Sequence, residues 1–164
     1  MRRTALFDLC ELLNTAYGEA GLELGRNVRE HGGIPKLIAL IEDPDPAVHQ
    51  QALLCIGNLA SDSVDPDSGL TKQLLLDSGS AEILMACAFS DDPDMLVPAC
   101  GLLQNVCCNR DWATLVVEHR VDTRFEQLTH HADPIVVRYA SGALTNLAQT
   151  LATPALSDLS LIHI

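Results

Sequence analysis

The sequence predicts an all-α solenoid of stacked helical repeats, and three observations carry that prediction. One pattern recurs three times: DPAVHQQALLCIGNLAS at residues 45–61, DPDMLVPACGLLQNVCC at 92–108 and DPIVVRYASGALTNLAQ at 133–149. Each copy places Ala six residues before an Asn, in the pairs Ala52/Asn58, Ala99/Asn105 and Ala140/Asn146, and the Asn-to-Asn spacings are 47 and 41 residues. Such periods belong to repeats of two or three helices. The composition agrees, being 48% hydrophobic but only 4% aromatic. A chain whose apolar load is Leu, Ala, Val and Ile suits closely packed helices better than a β-sandwich.

The elements follow in order. Residues 1–17 read as the last helix of an incomplete repeat: Asn14 lies 44 residues before Asn58, but Asp8 stands where later copies hold Ala. Repeat 1 is expected over 18–62, repeat 2 over 63–109 and repeat 3 over 110–150. The first helices are expected at 22–31, 70–78 and 111–119, and the second at 32–43, 79–92 and 121–133. Gly32-Gly33 and Gly79 separate them as helix-stop glycines do. Repeat 3 has Arg120-Val121 there, which predicts a less regular corner. The third helices begin at Asp-Pro, because Asp caps through its side-chain oxygen and Pro suits the first helical position. Pro98, five residues after Pro93, predicts a slight kink. Residues 151–164 are expected to form an irregular tail, and 159–164 read as non-native.

Counting from each Asn, positions ten, six, three and two before it and one after it share a helical face. They are Val48, Ala52, Cys55, Ile56 and Leu59; Met95, Ala99, Leu102, Leu103 and Val106; and Val136, Ala140, Ala143, Leu144 and Leu147. All are apolar, so this face is the predicted core. The opposite face reads Gln50, Gln51, Leu54 and Asn58, then Val97, Pro98, Gly101 and Asn105, then Arg138, Tyr139, Gly142 and Asn146. It is mixed and mostly uncharged. Gly101 and Gly142 are expected to leave room for a bulky partner side chain. Arg138 and Tyr139 are residue types enriched at binding hot spots.

Three helices per unit, a Gly corner and an Asn-ending third helix resemble the armadillo repeat family. The likeness is strongest in GGIPKLIALIEDPDPAVHQQALLCIGNLAS at 32–61 and runs over about 5–149. It implies a right-handed armadillo α-solenoid of three-helix repeats whose third helices line a concave groove. It also implies that Asn58, Asn105 and Asn146, with Asn14 a weaker match, pair with the backbone of an extended peptide. A carboxamide offers both donor and acceptor for this. The other reading is that each Asn caps its helix or bonds a neighbouring loop. Armadillo importins place Trp four residues before the Asn, where this chain has Leu54, Gly101 and Gly142. A nuclear-import signal is therefore not the expected ligand. The single Trp, Trp112, is expected in the core.

The net charge is -12 and no basic stripe is visible, so nucleic acid is not an expected partner. The acid gathers at Glu42, Asp43 and Asp45, at Asp62, Asp65 and Asp67, and at Asp91, Asp92 and Asp94. These segments read as a solvated rim between helices, or as a field for partners with basic segments. Cys10, Cys55, Cys87, Cys100, Cys107 and Cys108 lie in apolar runs without C-x-x-C spacing and read as free buried thiols. No signal-peptide pattern opens the chain, and no apolar run approaches the roughly 20 residues that span a bilayer. A place in the cytoplasm or nucleus is expected, without membrane insertion.

No catalytic residue, metal or cofactor is expected. His31 and His119 suit the ends of first helices. His130 and His131 would point about 100° apart on a helix, a poor metal pair. Asp62, Asp65 and Asp67 lack the Gly and terminal Glu of an EF-hand loop. The expected function is a protein-interaction scaffold for an extended or helical segment of a partner. The resemblance also admits a regulator of a small GTPase, or the non-catalytic part of a larger ubiquitin ligase or kinase.

Overall fold

The computed structural model describes residues 2–153. The expectations for residues 154–164, including the reading of 159–164, lie outside these residues. Ten α-helices follow one another: α1 (Arg2–Thr15), α2 (Glu19–Glu30), α3 (Gly33–Ile38), α4 (Pro46–Leu59), α5 (Ser68–Asp77), α6 (Ala81–Ala86), α7 (Pro93–Val106), α8 (Arg110–Glu118), α9 (Val121–Leu128) and α10 (Pro134–Ala152). A single 3₁₀ turn, Cys87–Phe89, extends α6. Among the described residues every regular element is helical.

The long helices start as the Asp-Pro pairs dictate. Asp45, Asp92 and Asp133 sit in extended backbone and accept hydrogen bonds from the N–H groups of Ala47, Asp94 and Ile135, at 3.0, 3.0 and 2.8 Å. Each cap satisfies one donor of a first turn that has no internal partner. Helix α7 continues through Pro98 to Val106, although Pro98 removes one internal donor.

The corner between first and second helices is left-handed in all three repeats, with φ of 64° at Gly32, 71° at Gly79 and 61° at Arg120. The expected irregularity at Arg120 is thus corrected: a side chain occupies the same corner. Left-handed backbone costs a non-glycine residue about 1–2 kcal/mol, which the buried neighbours Val121 and Val116 hold in place. Trp112 is fully buried and donates its indole N–H to the Lys72 carbonyl on α5 at 3.0 Å.

Helices α1, α4, α7 and α10 pack successively into one row. Their inward face is the apolar stripe, with Ala52, Ala99 and Ala140 buried at the crossings, while Met95 and Leu144 are half-buried. The second helices are short, and α10 runs two residues past Thr150. Five thiols are buried as expected, but Cys108 is exposed, because α7 has ended by then and the chain is turning into α8.

One acidic connection departs from the solvated rim. Residues 60–67 pass across α2, where Gly21 and Gly25 lack the side chains that would block them. A Cβ on Gly21 would stand 1.7 Å from the Val64 carbonyl oxygen, and one on Gly25 would stand 2.0 Å from Asp65 Oδ2. Asp65 is fully buried and paired with Arg29, and Asp62 accepts from Lys72 Nζ at 2.6 Å. These carboxylates are matched internally by cations, unlike the exposed Asp91, Asp92 and Asp94.

Candidate functional site

The face of the row opposite the core is where the sequence places its candidates. Gln50, Gln51, Leu54 and Asn58 on α4 are half-buried, as are Val97, Gly101 and Asn105 on α7 and Tyr139, Gly142 and Asn146 on α10. Pro98 is buried and Arg138 is exposed. Helical spacing of four and three aligns these positions on each helix, and the packing of α4, α7 and α10 sets the three stripes side by side. Between them lies a cleft of about 160 Å³ lined by Leu54, Asn58, Val97, Pro98, Gly101, Asn105 and Tyr139 among others.

The Asn carboxamides are oriented by the preceding helix. Asn105 Nδ2 donates to the Gly57 carbonyl at 3.0 Å, and Asn146 Nδ2 donates to the Gln104 carbonyl at 2.9 Å. Both carbonyls lie in the last turn of a helix, where C=O groups lack an internal partner. Asn58 Nδ2 donates instead to Asn14 Oδ1 at 2.9 Å. Each Asn therefore spends one donor on the helix before it, neither on its own helix end nor on a loop. The Oδ1 atoms of Asn58, Asn105 and Asn146 make no hydrogen bond among the described residues.

The room expected at the glycines is taken by the chain itself. The Tyr139 ring lies over Gly101, 3.3 Å from where a Cβ would stand, and the Gln104 carboxamide covers Gly142 at 2.7 Å. Arg138 stacks on the Tyr139 ring with its guanidinium carbon 4.9 Å from the centroid. Sequence reasoning missed Gln104 because its position, one before the Asn, carries Gly57 and Thr145 in the other copies and shows no pattern. It also missed Asp94, whose Oδ1 accepts from Gln50 Nε2 at 3.3 Å across α4 and α7. That bond depends on register between helices, which no local motif encodes.

Burial pushes the Cys100 and Cys107 thiols up to about 12, so both stay protonated at neutral pH. Sharing a hydrogen bond with Cys10, followed by burial, raises Cys55 as well. Among the described residues no three His, Cys, Asp or Glu side chains converge as metal ligands, and no helix is long and apolar enough to cross a membrane. A second hollow of about 480 Å³ lies between α2 and α5, lined by Arg26, Glu30, Asp67, Leu70 and Leu74 among others.

Residues 26–61 match the family model of the Armadillo/beta-catenin-like repeat. No curated protein matches the chain in sequence. Among solved structures, an engineered protein superposes with a TM-score of 0.78 at 21% identity, over 91% of this chain and 57% of its own. A designed armadillo repeat protein in complex with the peptide (KR)4 superposes at 0.74 and 20% identity, over 90% of this chain and 61% of its own. Computationally designed armadillo repeat proteins for modular peptide recognition give 0.64 at 21% identity, over 87% and 64%. The chain thus spans about three fifths of the length of the structures it resembles. With a repeat match that covers its first full third helix and a helix row shared over nine-tenths of its length, this chain has the fold of an all-α, right-handed armadillo solenoid.

Proposed function

We propose that the chain is a protein-interaction scaffold that holds an extended segment of a partner along α4, α7 and α10. One observation carries the reading: three carboxamides at Asn58, Asn105 and Asn146 stand in register, each oriented by a donor bond to the preceding helix. Each keeps its oxygen and second N–H for an incoming backbone, which has both a donor and an acceptor at every residue. Gln50, Gln51, Leu54, Val97, Gly101, Arg138, Tyr139 and Gly142 supply the side-chain contacts around them. The designed relative that binds (KR)4 supports a peptide as ligand for this fold. The net charge of -12 favours partners with basic segments.

The test compares the chain with its Asn58→Ala/Asn105→Ala/Asn146→Ala variant on a peptide array. The parent is expected to retain one class of peptide, and the variant, still helical by circular dichroism, is expected to lose it. Equal retention by both proteins would place the contact surface elsewhere on the solenoid.

A further inference from the structure

We infer that the cleft between α4, α7 and α10 is a specificity pocket for one branched aliphatic side chain, next to a basic residue seated at Asp94. This deepens the groove reading and rests on it. The cleft lies between Asn58 and Asn105, and no charged side chain lines it. Its apolar walls include Leu54, Val97, Pro98, Gly101 and Tyr139, and Gln104 adds a third neutral carboxamide to the two Asn. A Lys or Arg head entering it would lose its hydration and gain no counter-charge. An aliphatic side chain would instead exchange water for apolar contact. The volume of about 160 Å³ is small, and the Tyr139 ring over Gly101 closes its floor. An aromatic ring would have to displace Tyr139, whereas a Leu or Ile side chain would not.

Charge varies along the groove. Val97 stands where α4 carries Gln50 and α10 carries Arg138, so only the middle helix is apolar there. Asp94 is exposed one turn before Val97 and Pro98 on the same face, held toward α4 by Gln50. It offers a carboxylate to a cation beside the pocket. The exposed Arg138 guanidinium at the α10 end repels a second cation. The matching segment is therefore an aliphatic residue with basic neighbours on one side only, which differs from a uniformly basic stretch.

The test is fluorescence anisotropy of the full chain with three labelled peptides in a Gly/Ser background. One carries Lys-Lys-Leu, one carries Lys-Lys-Gly, and one alternates Lys and Arg. The Leu peptide is expected to bind at least about tenfold tighter than the Gly peptide, or about 1.4 kcal/mol. Val97→Gln, which installs the side chain α4 holds at the matching position, should abolish that preference, so that the Leu and Gly peptides bind it with equal affinity. Equal affinity for the Leu and Gly peptides, tighter binding of the Lys-Arg peptide, or a preference that survives Val97→Gln overturns the pocket. The groove reading still stands in those cases if Asn58→Ala/Asn105→Ala weakens all three peptides. No binding of any peptide up to about 1 mM overturns both readings.

Discussion

Repeat 1 meets repeat 2 through ion pairs, whereas repeat 2 meets repeat 3 through hydrogen bonds to backbone carbonyls, Arg124 to Ala88 among them, and through no ion pair among the described residues. At the first junction Arg29 on α2 reaches Asp65 in the connection 60–67, with side chains 8% and 0% exposed, and donates to Thr71 Oγ1 on α5 at 3.0 Å. At the second, Trp112 on α8 donates to the Lys72 carbonyl at 3.0 Å, and Thr150 Oγ1 donates to the Cys107 carbonyl at 2.9 Å. The third-helix row is joined alike at both, by Asn105 to Gly57 and Asn146 to Gln104. The longer first spacing arises mainly in the connection 60–67, against 107–109 in the next repeat. The row holds one chemistry from repeat to repeat, while the outer helices absorb the extra chain and solve its burial differently.

The largest expected effect breaks the charged junction. Arg29→Met leaves the buried Asp65 carboxylate without its cation and should cost about 3–5 kcal/mol, read as a fall in the urea midpoint. Adding Asp65→Asn should recover much of the loss, because the neutral side chain keeps the oxygen that accepts the Asp67 N–H at 2.9 Å. A double variant no more stable than the single one would show that shape, not charge, sustains the junction.

Gly21→Ala comes next. Its Cβ would meet a backbone oxygen, and backbone cannot rotate aside as a flexible side chain can. The cost should lie toward the upper end of about 1–3 kcal/mol. The second junction offers the control: the three atoms nearest a Gly142 Cβ all belong to the Gln104 side chain, which can swing away, so the cost of Gly142→Ala should be well below that of Gly21→Ala. Chemical denaturation of the two variants side by side reads the difference. Asn146→Ala should cost less again, about 1 kcal/mol, by leaving the last-turn Gln104 carbonyl to water.

The same contrast explains what was legible in the sequence. The Asp-Pro starts, the apolar stripe and the buried Trp112 follow from interactions within one helix or from simple hydrophobic period, so local reading reached them. Asp65 looked like a surface acid because its burial depends on Gly21 and Gly25, which lie on a helix some forty residues earlier. Gly101 and Gly142 looked like open floor because Tyr139 and Gln104 reach them from the next and the previous helix. The three Asn positions were found from their recurrence, but their donors' destination was not, since a last-turn carbonyl of another helix leaves no trace in composition. The Arg120 corner shows the converse: geometry repeats where the expected Gly does not.

The smallest expected effect concerns pH at the charged junction. Burial pushes the Asp62 carboxyl up, but hydrogen bonds from Lys72 and Ser68 and the Lys72 charge outweigh it, so the group titrates below its ordinary value of 3.8. A carboxyl depressed on folding stabilises the folded state above its unfolded pKa, and that contribution fades as pH falls through the lower, folded value. The urea midpoint should therefore carry an Asp62 contribution at neutral pH that disappears in strong acid. Asp62→Asn keeps an oxygen for Lys72 but removes the titration. Its curve should lie below the parent's at neutral pH and converge with it only on the acid side of 3.8. Asp62 is 67% exposed as a side chain, so solvent screening keeps this gap narrow beside the loss in Arg29→Met. Curves that stay parallel to the acid limit would place the pH response of this junction on a group other than Asp62.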